Sequence, residues 1–208
     1  MSTATEIARH LLQIKAIKLS PKAPFTWASG IQSPIYCDNR IVLSYPEVRD
    51  YVKAQLVAAA KQFDGVDLIA GVATAGISHG ALIADALSLP FAYVRSKAKG
   101  HGRQNLIEGR IPEGSNILVI EDLISTGGSC LQAVEALRAE GHTVVGVLAI
   151  FTYGFDRADA AFAKAGVPYR TLSDYSHLLD EAVRTDYISP DDLSELQDWR
   201  ARTGAVKG

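Results

Sequence analysis

Short apolar runs alternate with helix-period segments along most of this chain, and that alternation constrains the fold more than any other feature. VDLIAGVA (66–73), FAYV (91–94), NILVIED (116–122), TVVGVLAIF (143–151) and the weaker VPYRTL (167–172) read as strands. Strands buried on both faces need continuous apolar runs of this kind. GISHGALIADAL follows the first run through a Gly-containing turn. SCLQAVEALRAEG follows the third, with Leu131, Val134 and Leu137 on one face, and DRADAAFAKAG follows the fourth and ends at Gly166. The expected class is α/β, a parallel central sheet flanked by helices, with ligands in the crevice at the carboxyl ends of the strands. Segments 72–78, 95–105, 121–129 and 151–157 lie at such ends. RSKAKGHGRQNLIEGRIPEG (95–114) has no apolar period and reads as a long loop.

Ahead of this pattern, Ile7, Leu11 and Ile14 space a first helix over about 3–17. SPKAPFTWASGIQSPIYCDNR is rich in Pro, Gly, Ser and aromatics, so short strands and turns are expected there, forming a small cap. Ser44-Tyr45-Pro46-Glu47 reads as a capping box for a helix carrying Val48, Val52, Leu56 and Ala59. Ser189-Pro190-Asp191-Asp192 opens a closing helix. A length of 208 residues, 48% hydrophobic and 21% charged, suits one domain over 1–208. The net charge of −2 argues against a nucleic-acid or anionic-membrane partner. No apolar stretch is long enough to cross a bilayer, and the N-terminus lacks a signal-peptide core. Cys37 and Cys130 form no CxxC pattern, which favours a reducing compartment; a cytoplasmic location is expected.

The chemistry concentrates in ILVIEDLISTGGSC (117–130). A buried strand ends in Glu121 and Asp122, and Ser125-Thr126-Gly127-Gly128-Ser129 then turns into a helix. Small residues let backbone N–H groups approach an oxyanion, and the helix dipole favours negative charge there. The stretch is neither GxxxxGK[ST] nor GxGxxG. The plain alternative is a strand–turn–helix with capping residues, but paired buried acids cost several kcal/mol without a partner. Ribose hydroxyls or a bound Mg²⁺ would supply one. From 95 to 103 the chain carries Arg95, Lys97, Lys99, His101 and Arg103 and no acid, which suits a polyanionic ligand; a solvated basic loop is the alternative.

EDLISTGGS resembles the phosphoribosyl pyrophosphate (PRPP) motif of the type I phosphoribosyltransferases. FTWASGIQSPIYCDNR (25–40) resembles the N-terminal hood of that family's orotate branch, and YVRSKAKGHGRQNLIEG (93–109) its mobile catalytic loop. GVATAG (71–76) sits where the family has its pyrophosphate loop, and AIFTYGF (149–155) also fits this branch. The resemblance covers nearly the whole chain. It implies a type I phosphoribosyltransferase fold with a hood over about 18–42 and a mobile loop over about 95–110. It implies transfer of the phosphoribosyl group from PRPP to orotate, giving orotidine 5′-monophosphate and pyrophosphate in pyrimidine biosynthesis.

The same resemblance implies residue roles. Glu121 and Asp122 would meet the ribose hydroxyls, with Leu123, Ile124, Ser125, Thr126, Gly127, Gly128 and Ser129 cradling the 5′-phosphate. Arg95, Lys99 and His101 would contact PRPP and its leaving pyrophosphate, with Lys99, His101 and Asp122 as the catalytic set. His101 is alternatively a general acid. Tyr36, Cys37, Arg40 and Ser125 are the candidates for orotate; for the first three, an aromatic core strand with a surface ion pair is the alternative. Mg²⁺ would be bound through PRPP and pyrophosphate oxygens, with no ligands directly from the protein. A homodimer is implied, in which the mobile loop completes the partner's site. The chain departs from the family pattern at Ala28, at Thr74-Ala75 and at Ser96, where lysines are usual. The arginine that usually meets the orotate carboxylate has no clear equivalent, Arg157 being displaced. A purine phosphoribosyltransferase and a PRPP-sensing regulator are the rival readings; no helix-turn-helix or basic face supports the second.

Overall fold

The computed structural model describes residues 1–26, 30, 32–97 and 106–205. Helix α1 (Thr3–Gln13) starts at Ser2, whose hydroxyl accepts from the Thr5 N–H, and buries Ile7, Ala8, Leu11 and Leu12. It ends earlier than the spacing predicts. Lys15 has a left-handed φ of 59°, which breaks the helix and turns the chain into β1 (Ile17–Leu19).

Two small antiparallel pairs follow. β2 (Phe25–Thr26) pairs with β3 (Gln32–Ser33), and β4 (Ile35–Cys37) pairs back onto β1, with Lys18 opposite Tyr36. Asn39–Ser44 then forms a 3₁₀ turn, and α2 (Pro46–Ala60) begins. The capping box expected at Ser44–Glu47 is absent. Tyr45 holds the N-cap position with no side-chain bond, because Ser44 is used up in the preceding turn and Pro46 starts the helix.

The main sheet is built from β5 (Leu68–Val72), β6 (Phe91–Val94), β7 (Ile107–Glu108), β8 (Asn116–Ile124), β9 (Thr143–Thr152) and β10 (Tyr169–Asp174). Its order is β10-β9-β8-β5-β6-β7, parallel throughout except for β7. The strand β7 corrects the expectation of an unbroken loop over 95–114: Ile107 and Glu108 pair with Val94 and Tyr93 on the sheet edge. The Arg95 N–H donates to the Leu106 carbonyl at 2.8 Å, so the ends of the intervening segment lie side by side.

Helix α3 (Ala75–Leu87) joins β5 to β6, and α4 (Gly128–Ala139) joins β8 to β9. The first connection runs toward one edge and the second toward the other. Right-handed crossovers therefore place α3 and α4 on opposite faces. Helix α2 packs on α3 and β9, and α5 (Asp156–Ala165) sits beside α4, where Arg138 donates to the Ala165 carbonyl at 2.8 Å. Every residue of β5 is buried, as expected for a central strand covered on both faces. The chain closes with α6 (Tyr175–Arg184), which packs on α1, and α7 (Pro190–Gly204), whose Ser189–Asp192 capping box matches the sequence signal. No helix among the described residues is long and apolar enough to cross a membrane.

Candidate active site

The chain leaves β5 in one direction and β8 in the other, yet these strands are neighbours. Their carboxyl ends splay apart at this switch point and open a crevice. Residues 73–75 line one side, where the Ala73–Thr74 peptide is cis, and residues 121–129 line the other.

Glu121 and Asp122 sit at the lip. Glu121 is only 5% exposed. One of its oxygens accepts from the Asp122 N–H at 3.0 Å, and the other accepts a long 3.5 Å bond from the Ser129 hydroxyl. The two carboxyl groups are near enough to interact electrostatically. Burial, then the neighbouring Asp122 charge, pushes Glu121 well above the carboxylate range; burial also raises Asp122. Adjacent acids out of water cannot both ionise cheaply, so at neutral pH the pair holds a proton that a hydroxyl-bearing or cationic ligand would release.

The loop beyond them turns through Gly127, whose φ is +80°. A Cβ there would come within 2.8 Å of the Phe162 ring, so both conformation and space demand glycine. Thr126, Gly128 and Ser129 are exposed and Ser125 is half-buried. No side chain caps α4, leaving its first N–H groups directed at the crevice mouth. Ile124 is buried; its carbonyl accepts from the Tyr153 N–H and the Thr152 hydroxyl, which ties the loop's base to β9.

Of the residues expected in the hood, Cys37 and Arg40 lie within electrostatic reach of Asp122. Tyr36 is 39% exposed and packs against Phe25, with ring centroids 5.8 Å apart, so it is a surface aromatic and not a core one. Arg40 is gripped by Asp38 through two bonds of 2.7 and 2.9 Å, and Asp38 is held below its ordinary range by that guanidinium. The ion-pair alternative thus describes Arg40 in part. Its charge nevertheless reaches Asp122 and favours that carboxylate. Cys37 donates a weak bond to the Asn39 amide oxygen at 3.5 Å, and burial followed by the Asp122 charge keeps its thiol protonated. Both cysteines are free.

Arg95 and Ser129 line one narrow crevice together with Ala73 and Gln132. This brings the first cation of the basic segment to the 125–129 loop, although Arg95 also pairs with Glu108 at 3.3 Å. Lys99, His101 and Arg103 lie outside the described residues, as does Ala28. Arg157 stands over the Phe155 ring at 5.1 Å. Of the remaining histidines, His79 is buried and lowered to about 4 by loss of water, and His177 is bonded to Asp174 at 2.9 Å.

Sequence reasoning passed over Asn39, which stands between Asp38 and Arg40. It is fully buried, and its amide donates to the Asp122 carbonyl at 2.8 Å, joining the N-terminal segment to the strand that carries the acids. An Asn within CDNR looked like one more turn residue. The only available signal was its place between two charged neighbours.

A phosphoribosyl transferase domain model matches residues 51–180. The orotate phosphoribosyltransferase of Bacteroides thetaiotaomicron is 56% identical over 93% of this chain and 92% of its own length. That of Bacillus subtilis is 56% identical over 93% and 90%. Among solved structures, the orotate phosphoribosyltransferase of Aeropyrum pernix superposes with a TM-score of 0.77 at 28% identity, covering 88% of this chain and 99% of that one. The UMP synthase of Leishmania donovani superposes with a TM-score of 0.81 at 26% identity; the match takes in 96% of this chain and 42% of that longer one. The chain belongs to the phosphoribosyl transferase family and, within it, to the orotate phosphoribosyltransferases.

Proposed function

We propose that the protein transfers the 5-phosphoribosyl group from PRPP to N1 of orotate, yielding orotidine 5′-monophosphate and pyrophosphate for pyrimidine nucleotide synthesis. The observation that carries this reading is the Glu121–Asp122 pair, with Glu121 buried at the mouth of the switch-point crevice beside an uncapped helix N-terminus. Ribose hydroxyls would donate to the two carboxylates, and the positive charge growing on the ribose carbon would stabilise them further. Backbone groups and hydroxyls of 125–129 would hold the 5′-phosphate. Orotate would lie against Tyr36 and Cys37, bonded by Arg40 and Ser125.

Arg95, Lys99 and His101 would neutralise the departing pyrophosphate. Among the described residues no group of three or more His, Cys, Asp or Glu could hold a metal. Mg²⁺ would be carried on PRPP and pyrophosphate oxygens and would supply charge neutralisation of the leaving group. The working unit would be one domain over 1–208, in the cytoplasm, with the hood over 18–42 closing the base side. The working assembly would be a homodimer in which the mobile loop completes the partner's site.

Turnover with PRPP and each of orotate, adenine, hypoxanthine and uracil tests the reading. Orotate alone should be consumed, and activity confined to a purine would refute it. Lys99→Ala and His101→Ala should each lower kcat about tenfold or more without changing the melting temperature. If the loop serves the partner's site, mixing Lys99→Ala with Asp122→Asn protein should restore part of the lost activity, because some hybrid dimers then contain one intact site. A mixture no more active than its components would remove the shared-site arrangement.

A further inference from the structure

The last helix lies outside the switch-point crevice, yet it touches both sides of the site. Trp199 in α7 is 6% exposed. Its indole packs near-perpendicular to Tyr153 at 6.1 Å and against Phe155 and Tyr175, each at 5.9 Å. Tyr153 is the residue just beyond β9 whose N–H donates to the Ile124 carbonyl at the base of the phosphate loop. One side of the indole is therefore fixed to the floor of the site. On the other side, its N–H donates to the Gln32 carbonyl at 3.3 Å. Gln32 belongs to β3, opposite Thr26 of β2, and its amide also donates to the Thr26 hydroxyl at 2.8 Å.

Among the described residues α7 also reaches this N-terminal segment through the ion pair of Lys22 with Asp192, 3.5 Å long with the lysine side chain 83% exposed. Exposed pairs of this kind hold position weakly. A buried indole packed against aromatic rings has its donor held in one direction, and Gln32 accepts from that donor.

We propose that Trp199 is a positioning residue for the base side of the site: its indole N–H sets where the β2–β3 hairpin stands over the carboxyl ends of the sheet, coupling the hood to the ribose-phosphate floor. This rests on the reading that orotate is held under the hood. Trp199 touches no reacting group. Its effect is on how well the base side is formed before orotate arrives, while the phosphate loop and the acid pair stay anchored through β8 and β9.

Steady-state kinetics of Trp199→Phe separate the two sides. The ring stays and the donor goes, so KM for orotate should rise about fivefold, the usual effect of one lost hydrogen bond, with KM for PRPP and kcat within about twofold. Trp199→His restores a ring N–H at the equivalent position and should recover part of the orotate KM, even if its melting temperature is lower than that of the Phe variant. Tyr175→Phe removes the 3.2 Å bond from the same aromatic cluster to the Leu196 carbonyl and should lower the melting temperature while leaving the orotate KM unchanged. Arg40→Ala reports on the hood itself. A raised orotate KM in Arg40→Ala with none in Trp199→Phe overturns the positioning role and leaves the orotate reading intact. No effect in either defeats the hood reading and the proposal with it. A parallel rise in both KM values, or the same orotate shift in Tyr175→Phe, would reduce Trp199 to a packing residue.

Discussion

Asp122→Asn should lower kcat by about a hundredfold or more, while Glu121→Gln stabilises the ligand-free protein. Both effects have one origin. The two carboxyl groups interact and Glu121 is almost wholly out of water, so the ligand-free protein bears the cost of an acid pair that a bound ribose would relieve. An amide at 122 keeps the shape but removes the negative charge that, on the proposed reading, would face the developing cation. At 121 an amide can accept from the Asp122 N–H and the Ser129 hydroxyl as the acid does, and its own N–H₂ can donate to Asp122 without needing a proton.

The sign of the pH dependence follows. Glu121 titrates near 4.5 when unfolded and is raised to about 9 in the fold. Between those values the folded protein binds more protons than the unfolded chain, so this group's contribution to stability is complete at low pH and declines as pH rises through that window. The wild-type melting temperature should therefore fall between pH 5.5 and 8.5 more steeply than that of Glu121→Gln. At the upper end the variant should be more stable by about 1–3 kcal/mol, or roughly 3–10 °C for a chain of this size. Thermal melts across that range with no ligand, repeated with saturating PRPP, check it. Identical slopes in the two proteins would mean that the pair is not protonated in the empty site, and a Asp122→Asn enzyme with near-normal kcat would remove the acids from the chemistry.

What could be read from the chain divides by the distance over which its cause acts. The five main parallel strands were legible because each is a local apolar run, and α3, α4, α5 and α7 because each carries its own period or cap. Helix α6 was not anticipated. It starts directly from the end of β10 with Asp174 as its cap, so no polar loop announces it, although Leu178, Leu179 and Ala182 keep a helical spacing. Strand β7 is two residues long and exists only because β6 offers a free edge. The acid pair and the small-residue turn after it were legible because both lie within the local pattern of 117–130. The ties that assemble the rest of the site were not. Asn39 reaches Asp122 across 83 positions, and Trp199 reaches Gln32 across 167. Neither contact leaves a trace in the local pattern at either end, because an Asn in a turn and a Trp on a helix face are ordinary there.

Gly76→Ala should abolish most activity from a methyl group that touches no substrate. Gly76 lies in the first turn of α3, where the helix crosses the end of β8. A Cβ there would stand 2.3 Å from the Ile120 carbonyl oxygen and 3.3 Å from the Glu121 Cα. Those neighbours are backbone atoms inside a parallel sheet, so no rotamer change relieves the clash. Helix and strand must part, and the atoms that part are the ones flanking the crevice: the 73–75 turn on one side and Glu121 on the other. Overpacking usually costs about 1–3 kcal/mol, and a backbone clash belongs at the upper end, a fall of roughly 6–12 °C in melting temperature for a chain of this size. Since misplacing reacting groups by about 1 Å can cost about a hundredfold in rate, kcat should drop even where the variant remains folded. Gly141→Ala is the matched control. That glycine has a φ of +86° with nothing within 4 Å of its Cβ position, so an alanine there pays only the backbone strain, about 1–2 kcal/mol, far from the crevice. The expected pattern is a loss of stability in both variants and a loss of turnover, measured well below either melting temperature, in Gly76→Ala alone. Full turnover in Gly76→Ala would show that the close seat of α3 on β8 does not set the spacing between the two walls of the site.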